Sequence, residues 1–485
     1  MEKKKFTSSI WFTAGVSILV GVIIYMIPIP QSLHEIAELV PARNAERAWT
    51  MFAIFMGTIV ALILKPWPMG TVALIAITLL IVTRTLGVGA ALAGFGNSVM
   101  WLIICAFFIS RGFVKTRLGE RIAYIFMKRF GKKTLGLTYS LIASDFVISP
   151  AMASSTARLG GVIYPIIRSL TEVYDSKPEN GTERRLGSYL LFTTFQADMP
   201  VSAMFLTAMA ANPLAMSIAR DIIGIEVTWV QWMIAALLPG LVTIVVVPLI
   251  LYKLYAPEIK ETPKAAEIAS EKLAEMGPLT MIEKKLIGIF IMVLVLWIFG
   301  GNFGIDATTG AFIGLCTMLI SEVLTYEDIK SEKNAWDTLL WWATLVMMAG
   351  QLNTLGIIPW FSEIVTNAVY GVNWVLAFVL ISLAYYYSHY FFASNTAHVS
   401  AMYGALLVVS VAVGTPPLVA ALVLAFFSSL FGGLTHYGTG SAPVIFGSGY
   451  IKQNHWFGYA FIISVVFIVI WLGIGGLWWR LLGLW

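Results

Sequence analysis

The chain has 485 residues, 59% of them hydrophobic and 12% charged, with a formal net charge of +5 and a mean hydropathy of +0.83. A soluble domain of this size carries about 25% charged residues, so a single water-soluble core is excluded and an all-α polytopic membrane protein is expected. The two cysteines, Cys105 and Cys316, both lie in apolar runs and supply neither a disulfide framework nor a thiolate metal site.

In chain order, the basic start Lys3, Lys4 and Lys5 precedes an apolar run at about 9–29. That run is too long for a signal peptide and lacks a small-residue cleavage site, which predicts a retained first membrane helix. With an extracellular connector it accounts for residues 1–50. Further candidate spans are 51–64, 69–84, 97–114, 188–217, 229–252, 286–300, 308–325, 338–354, 416–450 and 456–482, judged against the ~17–25 apolar residues that cross a bilayer. The amphipathic stretch 116–129 is expected either on the cytoplasmic surface or in a dimer scaffold.

Residues 134–174 and 374–413 are apolar but interrupted near their middles by small polar residues. Each is either a pair of transmembrane helices or a re-entrant hairpin with the polar cluster at its tip. Short polar turns between apolar arms favour the hairpin, because non-helical backbone at membrane depth survives only against protein or a watery cavity. Spans 188–217 and 416–450 also look broken. The first contains Gln196-Ala197-Asp198-Met199-Pro200-Val201-Ser202, and the second runs from Gly432-Gly433 through Thr439-Gly440 to Pro443.

With both hairpins re-entrant and the N-terminus cytoplasmic, most Lys and Arg residues fall inside. Arg43, Arg47, Arg84, Arg220 and Arg480 fall outside, in keeping with the positive-inside rule. This places the C-terminus outside. The hydrophilic segment 253–285 then reads as a cytoplasmic linker between a first repeat, 51–252, and a second, inverted repeat, 286–485. Such inverted repeats are the layout of many secondary transporters.

The polar interruptions are related. Ala153-Ser154-Ser155-Thr156-Ala157-Arg158 recurs about half a chain later as Ala393-Ser394-Asn395-Thr396-Ala397-His398. Ser, Thr and Asn are favoured where a helix begins, since their side chains satisfy free N–H groups. A helix start offers N–H donors and positive potential to an anion. Two such starts meeting near the midplane suit the two carboxylates of a dicarboxylate. The competing reading is tight helix packing through small residues. Arg158 and His398 occupy matched positions, and charge at membrane depth needs a partner or a cavity. For Arg158 the partners in view are Asp145 and Asp198; for His398 the alternative is a hydrogen-bonded core histidine. His389 and His436 have no matched counterpart and are read as packing residues or as residues that support the site from behind. No activated nucleophile stands out, so an enzyme is not expected.

These residues resemble the divalent anion/sodium symporter family, whose hallmark is a Ser-Asn-Thr motif at each of two hairpin tips. Ser394-Asn395-Thr396 matches fully; Ser154-Ser155-Thr156 departs at its middle position. The stretches 149–161 and 434–440 look closest to the subgroup of bacterial citrate/succinate antiporters and plastid 2-oxoglutarate/malate translocators. The resemblance covers essentially the whole chain. It implies about eleven transmembrane helices plus two re-entrant hairpins, a homodimer in a bacterial cytoplasmic membrane, and elevator-type movement of a transport domain. It also implies substrate binding by Ser154, Ser155, Thr156, Ser394, Asn395, Thr396, Thr439 and Gly440, and, in the family's symporters, sodium ions at the hairpin tips and adjoining unwound loops; for this chain no cofactor, no bound metal and no nucleic-acid partner are expected. Arg158 and His398 are expected to compensate substrate charge, replacing sodium and enforcing exchange. The alternative is a sodium-coupled dicarboxylate symporter, followed by a channel or sensor on the same scaffold.

Overall fold

The computed structural model describes residues 10–40, 43–368 and 373–485; Lys3, Lys4 and Lys5 lie outside the described residues. Helices dominate the described residues, and the β-structure among them is one isolated bridge, Lys133 to Glu261. Among the described residues, seven helices are long and apolar enough to cross a membrane: Ala45–Leu64, Ser98–Thr116, Trp229–Leu254, Met281–Phe303, Trp374–Phe391, Asn395–Ala412 and Gln453–Leu481. Shorter apolar helices, Met69–Val82, Ala307–Ile320 and Pro417–Gly433, occupy further expected spans. The first helix, Ile10–Met26, turns by 75° into Gln31–Glu38. Pro28 and Pro30 fall in that corner, where a missing N–H and a fixed φ stop the helix.

The outer surface is apolar, as lipid contact requires. Ile18, Val22 and Ile23 on the first helix, and Ile291 and Val295 on Met281–Phe299, are exposed. The inside is different. Every residue of Gly187–Met204 is buried, as are Val419 through Leu430. These two segments form the centre about which the hairpins pack. Close approach elsewhere relies on missing side chains. A Cβ on Gly94 would overlap the Ala343 carbonyl oxygen in the helix Lys333–Leu355. Gly94→Ala is therefore expected to destabilise by at least about 1–3 kcal/mol, visible as a lower thermal midpoint in detergent.

The hydrophilic linker is more ordered than its composition suggests. It contains the helix Pro263–Met276, which packs on Leu118–Phe130, the amphipathic stretch. Arg121 binds Glu283 at 2.6 Å and also donates to the carbonyls of Met276 and Gly277. Glu283 completes a capping box with Thr280 at the start of the next helix. The amphipathic stretch thus has a defined partner, the linker itself.

Both polar interruptions form helix–break–helix units. In the first, Thr134–Ile148 runs into a tight turn at Ser149–Ala151, an extended step, and a return helix continuing to Val173. In the second, Trp374–Ser388 leads through His389–Phe391 to a return helix that packs back on its own entry arm. The broken span in the first half differs from expectation. Gln196 through Ser202, Pro200 included, remain helical, and the chain unwinds only after Met204. Asn212 explains the position: its amide donates to the carbonyls of Ser202 and Phe205, which the break leaves without helical partners.

Candidate functional site

The duplicated cluster folds the same way twice. Ser154 precedes the return helix of the first hairpin, and its Oγ accepts from the Ala157 N–H at 3.2 Å. Ser394 precedes the return helix of the second, and its Oγ accepts from the Ala397 N–H at 3.5 Å. Each is the capping residue of a new helix start. Each return helix then passes through wide π-type turns, Thr156–Ile163 and Val399–Tyr403, before becoming regular. Such turns are frequent at functional sites.

The unwound loop of the second half connects the two tips. Gly440 lies so near Thr156 that an added Cβ would sit 2.5 Å from its Oγ1. At the loop's other end, a Cβ on Gly432 would fall 2.8 Å from Asn395 Nδ2, 2.8 Å from Thr439 Cγ2 and 3.0 Å from Met199 Sδ. Thr156, Gly440, Thr439, Gly432 and Asn395 therefore form one continuous wall. Thr156 and Gly440 are exposed, whereas Thr439 and Asn395 are buried. Hydroxyls line the wall: Ser394 contacts Thr396 at 2.9 Å, Thr439 contacts Ser441 at 2.9 Å, and Ser441 contacts Ser155 at 3.2 Å.

Arg158 is not free to serve a ligand. Its Nε donates to Asp145 at 2.8 Å. One terminal nitrogen donates to the carbonyls of Met152 and Ala208, and the other to Asp198 at 2.7 Å and Ser202 at 2.5 Å. All five guanidinium donors are thus spent on protein acceptors, and the side chain is fully buried. Arg158, expected to compensate substrate charge, ties the hairpin tip to the helix Gly187–Met204 and to the break that follows it.

His398 is likewise held within the protein. Its ring stacks between Phe392 and Phe431, at centroid distances of 4.3 and 4.5 Å. Its Nδ1 lies 3.1 Å from Nδ1 of His389, and its Nε2 lies 3.0 Å from Ser388 Oγ. His389 Nε2 must donate to the Gly438 carbonyl, 3.1 Å away, because a carbonyl only accepts. In the neutral ring His389 Nδ1 then accepts, and His398 supplies the proton. His398, expected to compensate substrate charge, thus has His389 as its hydrogen-bond partner, a residue read from sequence as packing or as support for a neighbouring site residue.

The acids Asp145 and Asp198 are central to this site and were visible in the sequence only as candidate partners of Arg158. Asp198 also accepts from Ser155 Oγ at 2.5 Å. Gln196, two residues earlier, donates to the Gly433 carbonyl at 2.9 Å and ties the two broken spans together. Asn395 donates to the Ser428 carbonyl, while its Oδ1 is buried without a hydrogen-bond donor.

Over residues 8–485 the sequence matches the family described as the sodium:sulfate symporter transmembrane region. The chain belongs to this family. Its members are membrane transport proteins rather than enzymes. The chain is 56% identical to the putative malate transporter YflS of Bacillus subtilis (strain 168), across 97% of this chain and 96% of that one. It is 49% identical to the chloroplastic dicarboxylate transporter 1 of Spinacia oleracea, across 97% and 81%. It is 34% identical to the L-tartrate/succinate antiporter of Shigella sonnei (strain Ss046), across 97% and 98%. In fold it is similar to the Alcanivorax borkumensis YdaH transporter, with a TM-score of 0.50 at 13% identity over 79% of this chain and 87% of that one. A family of transporters accords with polar helix starts buried inside a lipid-facing bundle.

Proposed function

We propose that this protein is a secondary active transporter that exchanges C4/C5 dicarboxylates across a bacterial plasma membrane by alternating access. Succinate, malate, fumarate and 2-oxoglutarate are the candidate substrates, with citrate as a larger one. The observation that carries the proposal is the pair of serine-capped helix starts joined by the loop 432–441. Each start offers N–H groups and positive potential to one carboxylate. Ser154, Ser155, Thr156, Ser394, Asn395, Thr396, Thr439 and Gly440 form the proposed binding surface. The names of the relatives support dicarboxylates as the substrate class, and one of them is named an antiporter.

Recognition falls to hydroxyls and backbone donors, because Arg158 is closed on its own acids. Exchange follows from those donors: an empty site crossing the dry barrier would carry N–H groups with neither water nor carboxylate to accept from them. The proposed assembly is a homodimer with hairpins that re-enter the membrane, a transport part moving as an elevator, a cytoplasmic N-terminus and an extracellular C-terminus. Proteoliposomes loaded with unlabelled succinate are expected to take up labelled succinate rapidly without sodium, and empty vesicles to take up little. Strong sodium-driven uptake into empty vesicles would replace this reading with sodium-coupled symport. That second reading has its own support in the buried Oδ1 of Asn395, an acceptor that no donor of the described residues satisfies.

A further inference from the structure

Asp145, Arg158 and Asp198 bring two acids and one base together, all three at most 3% exposed. Arg158 cannot lose its proton in a protein. With both acids ionised, the cluster would hold one uncompensated negative charge away from water, beside the tip where an anion is to bind. Such a charge is strongly unfavourable at this depth. The contacts point to the remedy. Arg158 bonds one oxygen of each acid, Asp145 Oδ1 and Asp198 Oδ1. Asp145 and Asp198 thus share the one guanidinium, through Nε and one terminal nitrogen. Two buried acids sharing one cation leave a net negative charge, which one bound proton removes.

We propose that the Asp145–Arg158–Asp198 cluster binds one proton, carried by Asp145, whose occupancy is linked to dicarboxylate binding through Asp198 and Ser155. The linkage rests on the dicarboxylate reading above. Ser155 Oγ donates to Asp198 Oδ2 and contacts Ser441, which contacts Thr439. This chain of hydroxyls runs from the carboxyl pair to the wall of the proposed substrate site. A dianion on that wall favours the protonated pair, and by reciprocity the proton favours the dianion. The proton is thus bound and released at the first hairpin together with the dianion.

The charged side chain bonded to Asp145 is Arg158, which also holds Asp198. The helices packed on Thr134–Ile148 carry other titratable groups, but these are engaged elsewhere. Arg121 is closed on Glu283 and Arg117 on Glu120, and Tyr189 donates to the Pro248 carbonyl. Lys128, Arg129 and Lys253 are exposed.

Infrared difference spectroscopy of the purified full chain tests the site without substrate. A carboxylic-acid carbonyl band is expected near neutral pH, shifting when aspartate is labelled with carbon-13 and vanishing in Asp145→Asn. Absence of a labelled-aspartate band in the wild type at neutral pH would overturn the site, whether or not the variant folds. Binding of carbon-13 succinate is then followed calorimetrically against pH. Over the range in which the acid band disappears, its dissociation constant should rise by about tenfold per pH unit, the slope for one linked proton. Succinate binding with a flat pH profile would overturn the linkage. No succinate binding at any pH would overturn the dicarboxylate reading and the linkage with it, while the band alone would still establish the proton site.

Discussion

Arg158→Met is expected to remove most of the folded protein, with a loss of about 3–5 kcal/mol for breaking a buried ion cluster from one side. The size follows from what the change leaves behind. Asp145 and Asp198 would remain buried with no cation. The carbonyls of Met152 and Ala208 would lose their donor at two chain breaks, one at the hairpin tip and one after Met204. Arg158→Lys should recover little, because one ammonium with three donors cannot reach five acceptors arranged around a planar fork. Combining Arg158→Met with Asp145→Asn and Asp198→Asn should recover more than Arg158→Lys does, since the triple variant removes the stranded charge along with the cation. Recovery of monodisperse protein from detergent and its thermal midpoint are the measurements. Wild-type stability in Arg158→Met would show that the cluster does not hold the hairpin to its neighbour.

How far this site was legible depended on which interactions are local. Ser154 and Ser394 cap helices because of their own side chains and the N–H three residues on. That relation is written within four residues, so it could be read twice from sequence. The partners of Arg158 stand 13 and 40 residues away. Sequence could suggest the two acids as partners but could not show that both bind at once and use up every donor. The same limit applies to His398: its partner His389 reaches it only because the chain reverses between them. Pro200 was read as a breaker by its own chemistry. The break falls later because Asn212, from the next helix, satisfies the carbonyls released after Ser202. The linker's charge pattern announced a hydrophilic segment, while its docking depends on Arg121 reaching Glu283 across 162 positions.

Gly440→Ala is expected to lower exchange activity at least tenfold while leaving stability near wild type. Gly440 is exposed, so an added methyl meets little of the packed interior. The nearest atom is Thr156 Oγ1 at 2.5 Å, and the next, Thr156 Cβ, is at 3.7 Å. Only the hydroxyl is displaced, and rotation about one bond moves it out of the way. In the proposed site that hydroxyl helps hold a carboxylate, and the new methyl occupies the same space. A tenfold loss corresponds to ~1.4 kcal/mol, about the worth of one hydrogen bond to a charged group. Gly458→Ala serves as the control, since its Cβ would meet nothing within 4 Å, and should retain full exchange. Reconstituted succinate exchange and detergent thermal midpoints, measured on the same preparations, separate the two effects. A Gly440→Ala protein as active as the control would remove the Thr156–Gly440 contact from the substrate site. A parallel loss of stability would mean that the loop 432–441 is fixed by packing rather than shaped around a ligand.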